Sequence, residues 1–276
     1  MPKALTQAQI EGYERDGYVA GINVMSPAEA MDIRRRVEAF EQETGQHAGK
    51  TLRVKSHLIL PWVLEIARDP NILDVVEDII GPNILLFISV IWDKKPGDKT
   101  FVSYHQDGTY YGFDRRASVN LWMALSEANR QTGCMRFFPG SHKDGIREHL
   151  ELGGEDNLLT RGQTVVGLNE DAAVDIVLDP GQCSIHHENL IHGSHPNNGD
   201  DRRMGYAMVY VTPEVKPLVG RRAALLVRGE DRFGYWDFDP EPRYNFDPVA
   251  MEAVKRGQAG YTDRELKPPP ATAVGG

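Results

Sequence analysis

The sequence has 276 residues, with 31 basic and 40 acidic side chains and a formal net charge of -9 at pH 7. A chain of this length can bury a core without disulfide staples, and Cys134 and Cys183 lack the CxxC spacing of a redox or zinc motif. The acidic balance, without a cluster of Lys and Arg, argues against nucleic acid and anionic membrane surfaces as partners.

No stretch of the sequence has the length and apolar character of a membrane helix, and the first twenty residues lack the apolar region of a signal peptide. Two thiols without paired spacing are typical of a reducing compartment. We therefore expect a cytoplasmic protein that acts on a small molecule and could form a homodimer. An anionic ligand would have to be held by a few local cations against the charge of the whole chain.

Helical patterns occupy the N-terminal third. Residues 6–17 carry apolar side chains at helical spacing, and Ser26 to Glu29 form a capping box with a proline at the first helical position. Asp69 and Pro70 open another helix, which Gly81 ends. These signals predict several helices within about residues 1–82.

After Gly81 the pattern changes to short runs rich in β-branched and aromatic residues, separated by turn signals that contain Gly, Pro and Asn. The runs cover residues 84–92, 101–111, 118–125, 135–138, 174–178, 182–190 and 203–211. Many short strands of this kind predict a mainly β fold with α-helices. The expected core is a double-stranded β-helix, the jelly-roll of cupin-like proteins, with the N-terminal helices packed outside.

We expect one domain over residues 1–264. It would consist of the helical part to about residue 82, the jelly-roll core over about 83–215 and a covering segment over about 216–264. Three consecutive prolines predict a flexible tail over residues 265–276. The long polar connection over residues 144–174 is typical of a lid or binding loop.

The run Tyr104-His105-Gln106-Asp107-Gly108 carries the first candidate chemistry. Residues two apart in a strand point to the same face, so His105 and Asp107 would present an imidazole nitrogen and a carboxylate oxygen toward one point. A histidine from a distant strand would complete the 2-His-1-carboxylate set of non-haem Fe(II) oxygenases. An HxD pattern alone has a high false-positive rate.

A second group follows the 182–190 run. His192 and Ser194 come first, and Arg203 begins the next run after a turn at residues 197–201. We predict a hairpin-like unit in which the three side chains share the barrel interior. A hydroxyl and a guanidinium beside a metal-binding imidazole suit a dicarboxylate co-substrate, because the planar fork of Arg binds a carboxylate with two hydrogen bonds.

The order and spacing of these motifs resemble the phytanoyl-CoA dioxygenase family of Fe(II)/2-oxoglutarate oxygenases, from residue 6 to about residue 211. Further motifs that carry the resemblance are Leu121-Trp122, Thr132-Gly133-Cys134-Met135, Pro139-Gly140-Ser141-His142 and Pro180-Gly181. The resemblance implies Fe(II), 2-oxoglutarate and O2 as cofactor and co-substrates. It also implies that His105, Asp107 and His192 are the iron ligands.

The resemblance further implies a co-substrate pocket in which Arg203 pairs with the distal carboxylate of 2-oxoglutarate. Ser194 would form a hydrogen bond to the same carboxylate, and Trp122 would line the pocket. Lys55 falls, in a looser alignment, where the family often has a lysine that reaches the co-substrate or the substrate.

Several residues are candidate substrate contacts. A break in the strand at Gly108 would turn Tyr110 toward the metal with Thr109 and Tyr111, although all three could instead pack the sheet against a helix. His186 and His187 are adjacent, so they face opposite sides of a strand. We select His187 as the candidate contact; a buried polar group of the core is the alternative.

The segment 219–247 is rich in arginine and aromatic residues. One interpretation is a flap over the barrel mouth, in which Arg228 would grip a charged substrate. The other is a packed covering segment or a dimer contact.

The function expected from these features is hydroxylation of an unactivated C–H bond in a small polar metabolite, such as a zwitterionic amine or an organophosphonate, with succinate and CO2 as co-products. Asp107 argues against halogenation, because halogenating relatives have Gly or Ala at that position. The alternatives are desaturation or cleavage by the same chemistry, hydroxylation of an acyl-CoA, and a non-catalytic cupin-like binding module. A binding module has no reason to keep His105, Asp107, His192 and Arg203 together.

Overall fold

A computed structural model of the protein describes residues 2–159 and 162–262. The predicted tail at residues 265–276 lies outside the described residues. The helices are α1 (Gln7–Asp16), α2 (Pro27–Thr44), α3 (Ala48–Thr51), α4 (Ser56–Ile59), α5 (Pro61–Ala67), α6 (Pro70–Ile80), α7 (Gly108–Tyr111) and α8 (Pro248–Thr262). Over the described residues, none of the helices is both long and apolar enough to cross a membrane.

The strands fall mostly after residue 83, with one early exception. They are β1 (Tyr18–Asn23), β2 (Ile84–Lys94), β3 (Val102–His105), β4 (Ser118–Ala124), β5 (Met135–Phe137), β6 (His149–Glu151), β7 (Gln163–Val165), β8 (Val174–Ile176), β9 (Gln182–His187), β10 (His192–Ser194), β11 (Arg203–Val211), β12 (Ala223–Arg228) and β13 (Asp237–Phe238).

The predicted helix ends are confirmed by their caps. Thr6 and Ser26 each accept a hydrogen bond from the backbone N–H three residues on, and Gln9 and Glu29 bond back to the cap, which completes two capping boxes. Gly17 ends α1 in the left-handed conformation, with φ 86°, which a side chain disfavours.

Two sheets form the jelly-roll. The larger has the strand order β1-β9-β4-β11-β2-β12-β13 and the smaller the order β3-β10-β5-β8, while β6 and β7 form a separate pair. Pairing is antiparallel except between β12 and β13. Strands of both sheets line one cavity, so the two sheets face each other across it. The fold is therefore mainly β with α, as predicted, although hydrogen bonds between the described strands do not close the sheets into a barrel.

The central strands of the larger sheet, β2, β4 and β11, are buried on both faces. On the outer face of this sheet, apolar side chains such as Val119 and Met123 of β4 join one buried cluster with Val37 of α2 and Val76 of α6. On the inner face, the alternate residues of β4 line the cavity. The helices thus cover one side of the sheet and leave the other for the site.

The prediction of a single strand over residues 101–111 is wrong. β3 ends at His105, and residues 108–111 form the short helix α7. The predicted hairpin of His192 and Arg203 is also wrong, because β10 pairs with β3 and β5 in the smaller sheet whereas β11 pairs with β2 and β4 in the larger one. Both groups still reach the cavity, since they approach it from opposite walls.

The segment 219–247 extends the larger sheet at one edge. Its strand β12 pairs with β2, and Trp236 lies in a buried cluster with Phe87 and Phe113. The indole N–H of Trp236 donates to the carbonyl of Val215 at 2.8 Å. These contacts favour the packed covering segment over the flap.

The contact between Gly205 of β11 and the ring of Trp122 allows a test of the side-chain packing on the inner face of the larger sheet. A Cβ at this position would lie 1.9 Å from Cζ2 of Trp122, so the indole occupies the space of the missing side chain. We expect Gly205→Ala to displace the indole, lower the stability by about 1–3 kcal/mol and lower the Tm. Differential scanning calorimetry and tryptophan fluorescence would show both effects.

Gly12→Ala is the matched control. The nearest atom to a Cβ there is the flexible end of Arg15 at 3.8 Å, and a helical Gly→Ala change stabilises by about 0.5–1 kcal/mol. A Gly205→Ala protein that melted at the wild-type temperature with unchanged fluorescence would contradict the packing described.

Candidate active site

The chain turns sharply after β3, and the side chain of Gln106 holds that turn. Gln106 is fully buried. Its amide donates to the carbonyls of Gly145 (2.8 Å) and Asn189 (2.6 Å), and its oxygen accepts from the N–H of Arg147 (2.7 Å). Because the turn is fixed in this way, Asp107 at the start of α7 comes back toward His105.

Three side chains converge at this turn. His105 Nε2 lies 3.2 Å from one carboxylate oxygen of Asp107, and His192 Nε2 lies 3.5 Å from the other. His192 is directly opposite His105 in the β10–β3 pairing. One nitrogen or oxygen from each of the three lies within 4.8 Å of the others. This spacing fits a single first-row transition-metal ion.

Backbone carbonyls orient both imidazoles. His105 Nδ1 lies 2.9 Å from the carbonyl oxygen of Ser103, and His192 Nδ1 lies 2.9 Å from that of Leu190. A carbonyl oxygen can only accept, so each Nδ1 carries the hydrogen and each Nε2 presents its lone pair to the centre. Burial and the neighbouring His105 lower the pKa of His192 to about 3, which favours the neutral, metal-binding form.

The carboxylate of Asp107 has its own support. The amide of Asn120 on β4 donates to Asp107, and the hydroxyl of Tyr111 donates to Asn120 Oδ1 at 3.0 Å, which fixes the orientation of the amide. Burial raises the pKa of Asp107, but the nearby imidazoles outweigh it and hold the pKa well below its ordinary value. Asp107 is therefore an anion at neutral pH.

A second cluster of potential metal-ligating groups, Glu41, His47 and Asp93, is already occupied by a cation. The guanidinium of Arg202 forms ion pairs with Glu41 at 2.8 Å and with Asp93 at 2.7 Å. Among the described residues, the group at Asp107 is thus the one whose ligand atoms are open to a metal.

The cavity that contains this group has a volume of about 170 Å³. Its lining is mostly apolar and includes Val54, Ile88, Val90, Met135, Leu158 and Leu159. The last two belong to the predicted lid region between residues 144 and 174. Val90 lines the cavity, whereas its neighbour Ile91 belongs to the core on the other face of β2.

Arg203, Trp122 and Ser194 all line this cavity, as the resemblance implied. The Arg203 guanidinium lies over the Trp122 ring, 5.3 Å from its centroid, and donates twice to the carbonyl of Gly133 at 2.8 and 3.0 Å. It forms no ion pair with a carboxylate within the described residues, and burial lowers its pKa to about 10. A buried guanidinium of this kind favours an anionic ligand.

Sequence reasoning missed Arg53, a second guanidinium in the cavity. It lies over the Trp92 ring at 4.5 Å and has no hydrogen-bonded acceptor among the described residues, and burial lowers its pKa to about 10. The sequence signal was present in Arg53-Val54-Lys55, but the resemblance selected Lys55 rather than Arg53.

Lys55 does not reach the cavity. Its ammonium bonds to the carboxylate of Asp239 and to the carbonyl of Ala223, 2.8 Å away, and Lys55 does not line the cavity. The left-handed backbone of Lys55, with φ 49°, accompanies this change of direction before α4. The prediction that Lys55 reaches the co-substrate or the substrate is therefore wrong.

The prediction that Arg228 grips a charged substrate is also wrong. It forms ion pairs with Asp74 at 2.6 Å and with Glu77 at 2.8 Å, so it ties β12 to α6 and lies outside the cavity. Acidic partners satisfy its charge, which the sequence pattern could not reveal.

Of the other candidate substrate contacts, some line the cavity and others do not. Tyr110 and Tyr111 line the cavity, whereas Thr109 on the same short helix does not. His186, rather than the selected His187, faces the cavity, with Nε2 3.8 Å from Asp107.

The register of β9 explains the assignment of the two histidines. His186 is directly opposite Asn120 of β4, which also faces the cavity. The alternate residues Cys183 and Ile185 pack in the outer core, and His187 shares their face and lies near His142. A sequence signal for this assignment was available. In β9 the polar residues Ser184 and His186 alternate with the apolar Cys183 and Ile185, which indicates that His186 faces the cavity.

The model of the phytanoyl-CoA dioxygenase family matches residues 13–205. The chain belongs to this family. This confirms the resemblance drawn from the motifs, and with it the class of Fe(II)/2-oxoglutarate-dependent dioxygenases and the jelly-roll fold.

Two curated relatives and one solved structure show the range of the family. A probable alpha-ketoglutarate-dependent hypophosphite dioxygenase of Stutzerimonas stutzeri is 28% identical over 184 residues, which cover 66% of this chain and 64% of that protein, just under two thirds of its length. The peroxisomal phytanoyl-CoA dioxygenase of Bos taurus is 28% identical over 95% of this chain and 80% of its own. The structure of the non-heme monooxygenase ThoJ, in its apo form, superposes with a TM-score of 0.78 at 30% identity, covering 92% of this chain and 95% of that one.

The support of Asp107 gives a prediction for metal binding. Asn120→Leu removes the amide that orients the carboxylate, so we expect the affinity for Co(II) to fall about 10–100-fold. Tyr111→Phe should give a smaller loss in the same direction, because it loosens only the Asn120 amide. Titration followed by the visible absorption of Co(II) measures both.

His187→Gln is the matched control, since His187 lies outside the cavity, and we expect it to bind Co(II) as the wild type does. Wild-type affinity in Asn120→Leu would show that Asp107 needs no help from β4.

Proposed function

We propose that the protein is an Fe(II)- and 2-oxoglutarate-dependent hydroxylase of a small, mainly apolar molecule that carries an anionic group, with succinate and CO2 as co-products. The observation that carries this proposal is the convergence of His105, Asp107 and His192 on one cavity with Arg203, a buried cation without an acidic partner among the described residues. A non-catalytic binding module would not need both features.

His105, Asp107 and His192 would hold Fe(II) through two imidazole nitrogens and one carboxylate oxygen. The donor set fits this ion, because both Nε2 lone pairs are directed inward and Asp107 is ionised. Bound iron with 2-oxoglutarate supplies the activation of O2 and the oxidising power for attack on a C–H bond. The chain contributes position: two histidines fixed by backbone carbonyls and a carboxylate fixed by Asn120.

Arg203 and Ser194 would bind the distal carboxylate of 2-oxoglutarate, with Trp122 holding the guanidinium in place. The carbonyl of Gly133 accepts from two of the guanidinium nitrogens, Nε and Nη2. Both hydrogens of Nη1 and the second hydrogen of Nη2 would then remain for the carboxylate, together with the hydroxyl of Ser194.

Arg53 would recognise the substrate. Among the described lining residues, Asp107 is the only carboxylate, so an ammonium group would find no free acidic partner in the cavity. Arg53 instead offers a cation without an acidic partner among the described residues to a carboxylate, phosphonate or similar group. We therefore favour an anionic substrate over a zwitterionic amine. The relative named as a probable hypophosphite dioxygenase is consistent with this choice, because hypophosphite is a small anion.

The cavity volume favours a small molecule, and its apolar walls would exclude water from the reacting bond. We propose the cytoplasm as the compartment, because both cysteines are buried free thiols.

The decisive experiment is anaerobic addition of Fe(II) and 2-oxoglutarate. We expect the weak visible charge-transfer band of the chelate and, after O2 is admitted with substrate, stoichiometric succinate. Asp107→Ala should abolish both, because it removes one of three ligands. A band and a succinate yield unaffected by Asp107→Ala would overturn the site.

The two arginines allow a paired prediction. A panel of small carboxylates and phosphonates, each with its neutral amide or ester, is scored by substrate-dependent succinate release. We expect Arg53→Met to raise the KM of the best acid at least tenfold and to leave the co-substrate KM within about twofold, since a lost charged hydrogen bond costs about 1.5–3 kcal/mol.

Arg203→Met should give the opposite result, a large rise in the co-substrate KM. Both arginines are stacked on tryptophan, so each variant controls for the loss of that packing in the other. If Arg53→Met changed only the co-substrate KM, Arg53 would belong to the pocket that binds 2-oxoglutarate. If neutral analogues were turned over as well as the acids, the substrate would not be recognised by its charge.

A further inference from the structure

Lys94 is the last residue of β2 and is fully buried directly behind the co-substrate pocket. Its amine nitrogen has three oxygen neighbours. They are the hydroxyl of Ser194 at 2.8 Å, the carbonyl of Ser194 at 3.4 Å and the carbonyl of His195. Ser194 lines the cavity but Lys94 does not, so Lys94 reaches the pocket through this hydroxyl.

No carboxylate forms an ion pair with Lys94 within the described residues, and a second cation lies beside it. Arg203 is its directly opposite partner in the β2–β11 pairing. Four titratable or charged groups face the amine. They are Arg203 on β11, Asp98 in the turn after β2, the thiol of Cys134 before β5, and His195 after β10. The ring of His195 is hydrogen-bonded to Arg136. Burial, together with Arg203, lowers the pKa of Lys94 to about 6 against the weaker opposing effects of Asp98 and Cys134.

The number of hydrogens on the amine decides how Ser194 is oriented. A carbonyl can only accept, so the carbonyls of Ser194 and His195 take two N–H groups. A neutral amine then has only its lone pair left, and the Ser194 hydroxyl must donate to it. A charged ammonium has a third N–H, which donates to Ser194 Oγ and leaves the serine hydrogen free to turn into the cavity.

We propose that Lys94 is a positioning residue for the co-substrate, which takes up a proton as 2-oxoglutarate binds and thereby turns the Ser194 hydroxyl toward the distal carboxylate. The inference rests on the proposed function, because it concerns the pocket of Arg203 and Ser194. The incoming negative charge favours the ammonium, and the ammonium makes Ser194 a donor to that charge.

Binding and protonation are then linked, and the direction of the pH dependence follows. Above the pKa of the free Lys94, each unit of pH makes the required proton about tenfold scarcer, so the co-substrate Kd should rise by up to tenfold per unit. Below that pKa the amine is already charged, so binding takes up no proton and the Kd should level off. Both carboxylates of 2-oxoglutarate are ionised throughout this range and contribute no proton.

The test is anaerobic titration calorimetry of the Fe(II)-loaded protein with 2-oxoglutarate at pH 8. The titration is repeated in two buffers that differ in enthalpy of ionisation, such as HEPES and Tris. The difference in measured heat gives the protons taken up per site. We expect a value approaching one for the wild type, because free Lys94 is mostly neutral at pH 8.

Lys94→Met keeps the length of the side chain but cannot be charged. We expect it to take up no proton, to bind 2-oxoglutarate at least tenfold more weakly near pH 6.5, and to lose the pH dependence of Kd. Ser194→Ala should remove most of the same effect, and the double variant should be little worse than either alone, because the two residues act through one hydrogen bond.

Other groups that titrate near pH 7 are controlled by the comparison. Burial raises the pKa of Glu188, which faces Arg116 and Asp107, to about 7. Lys94→Met leaves Glu188 and the metal ligands in place, so any proton that they exchange contributes equally to both proteins. The difference in proton uptake between the wild type and Lys94→Met therefore reports Lys94. Lys95→Met, at the adjacent exposed residue, is the matched control and should behave as the wild type.

The outcomes separate the two proposals. A wild-type protein that binds 2-oxoglutarate without proton uptake, or a Lys94→Met protein that keeps the uptake, would overturn the role of Lys94 and leave the proposed function intact. A chain that failed to bind 2-oxoglutarate under any of these conditions would overturn both.

Discussion

The buried amide of Gln106 ties together the end of β3, the loop at Gly145 and the turn at Asn189. A primary amide can satisfy several backbone groups at once, which allows the chain to reverse direction inside the protein without leaving those groups unpaired. The positions of His105 and Asp107 depend on that reversal. A cavity whose far wall supplies Arg203 could not function as one site if the near wall were free to move.

The electrostatic organisation answers the question that the net charge of -9 raised. An acidic chain that handles anions must bring cations inward, and the structure does this with Arg203, Arg53 and Lys94. Each of the three lacks an acidic partner among the described residues, whereas Lys55 and Arg228 are both paired with acids and serve to join parts of the fold. A cation is therefore available for a ligand only where the surrounding structure has not already neutralised it.

Sequence reasoning succeeded where local rules decide the structure. Apolar spacing over residues 6–17 and the capping box at Ser26 located two helices, and runs of β-branched residues located most strands. The family motifs brought together the three candidate ligands, although the strand alternation used to explain His105 and Asp107 was wrong. A turn held by tertiary hydrogen bonds of Gln106 brings the two side chains together, and no local pattern encodes those partners.

The remaining errors have two causes. Whether His186 or His187 faces the cavity depends on the register with β4, and whether Arg53 or Lys55 reaches it depends on the left-handed backbone at Lys55. The register is set by pairing between strands distant in sequence. A left-handed backbone at a lysine is an uncommon local conformation that the residue type does not predict. The hairpin predicted for His192 and Arg203 failed similarly, because the chain crosses between sheets after Ser194.

The two guanidinium–tryptophan stacks have a consequence for how the cavity is filled. An aromatic face holds a guanidinium in place without cancelling its charge, whereas a carboxylate does both. Trp92 and Trp122 therefore keep Arg53 and Arg203 in place while leaving each positive charge to attract mobile counterions from the solvent. Loading the cavity is then an ion exchange, in which organic anions replace inorganic ones. Affinity should accordingly depend on the kind of salt in solution as well as on its concentration.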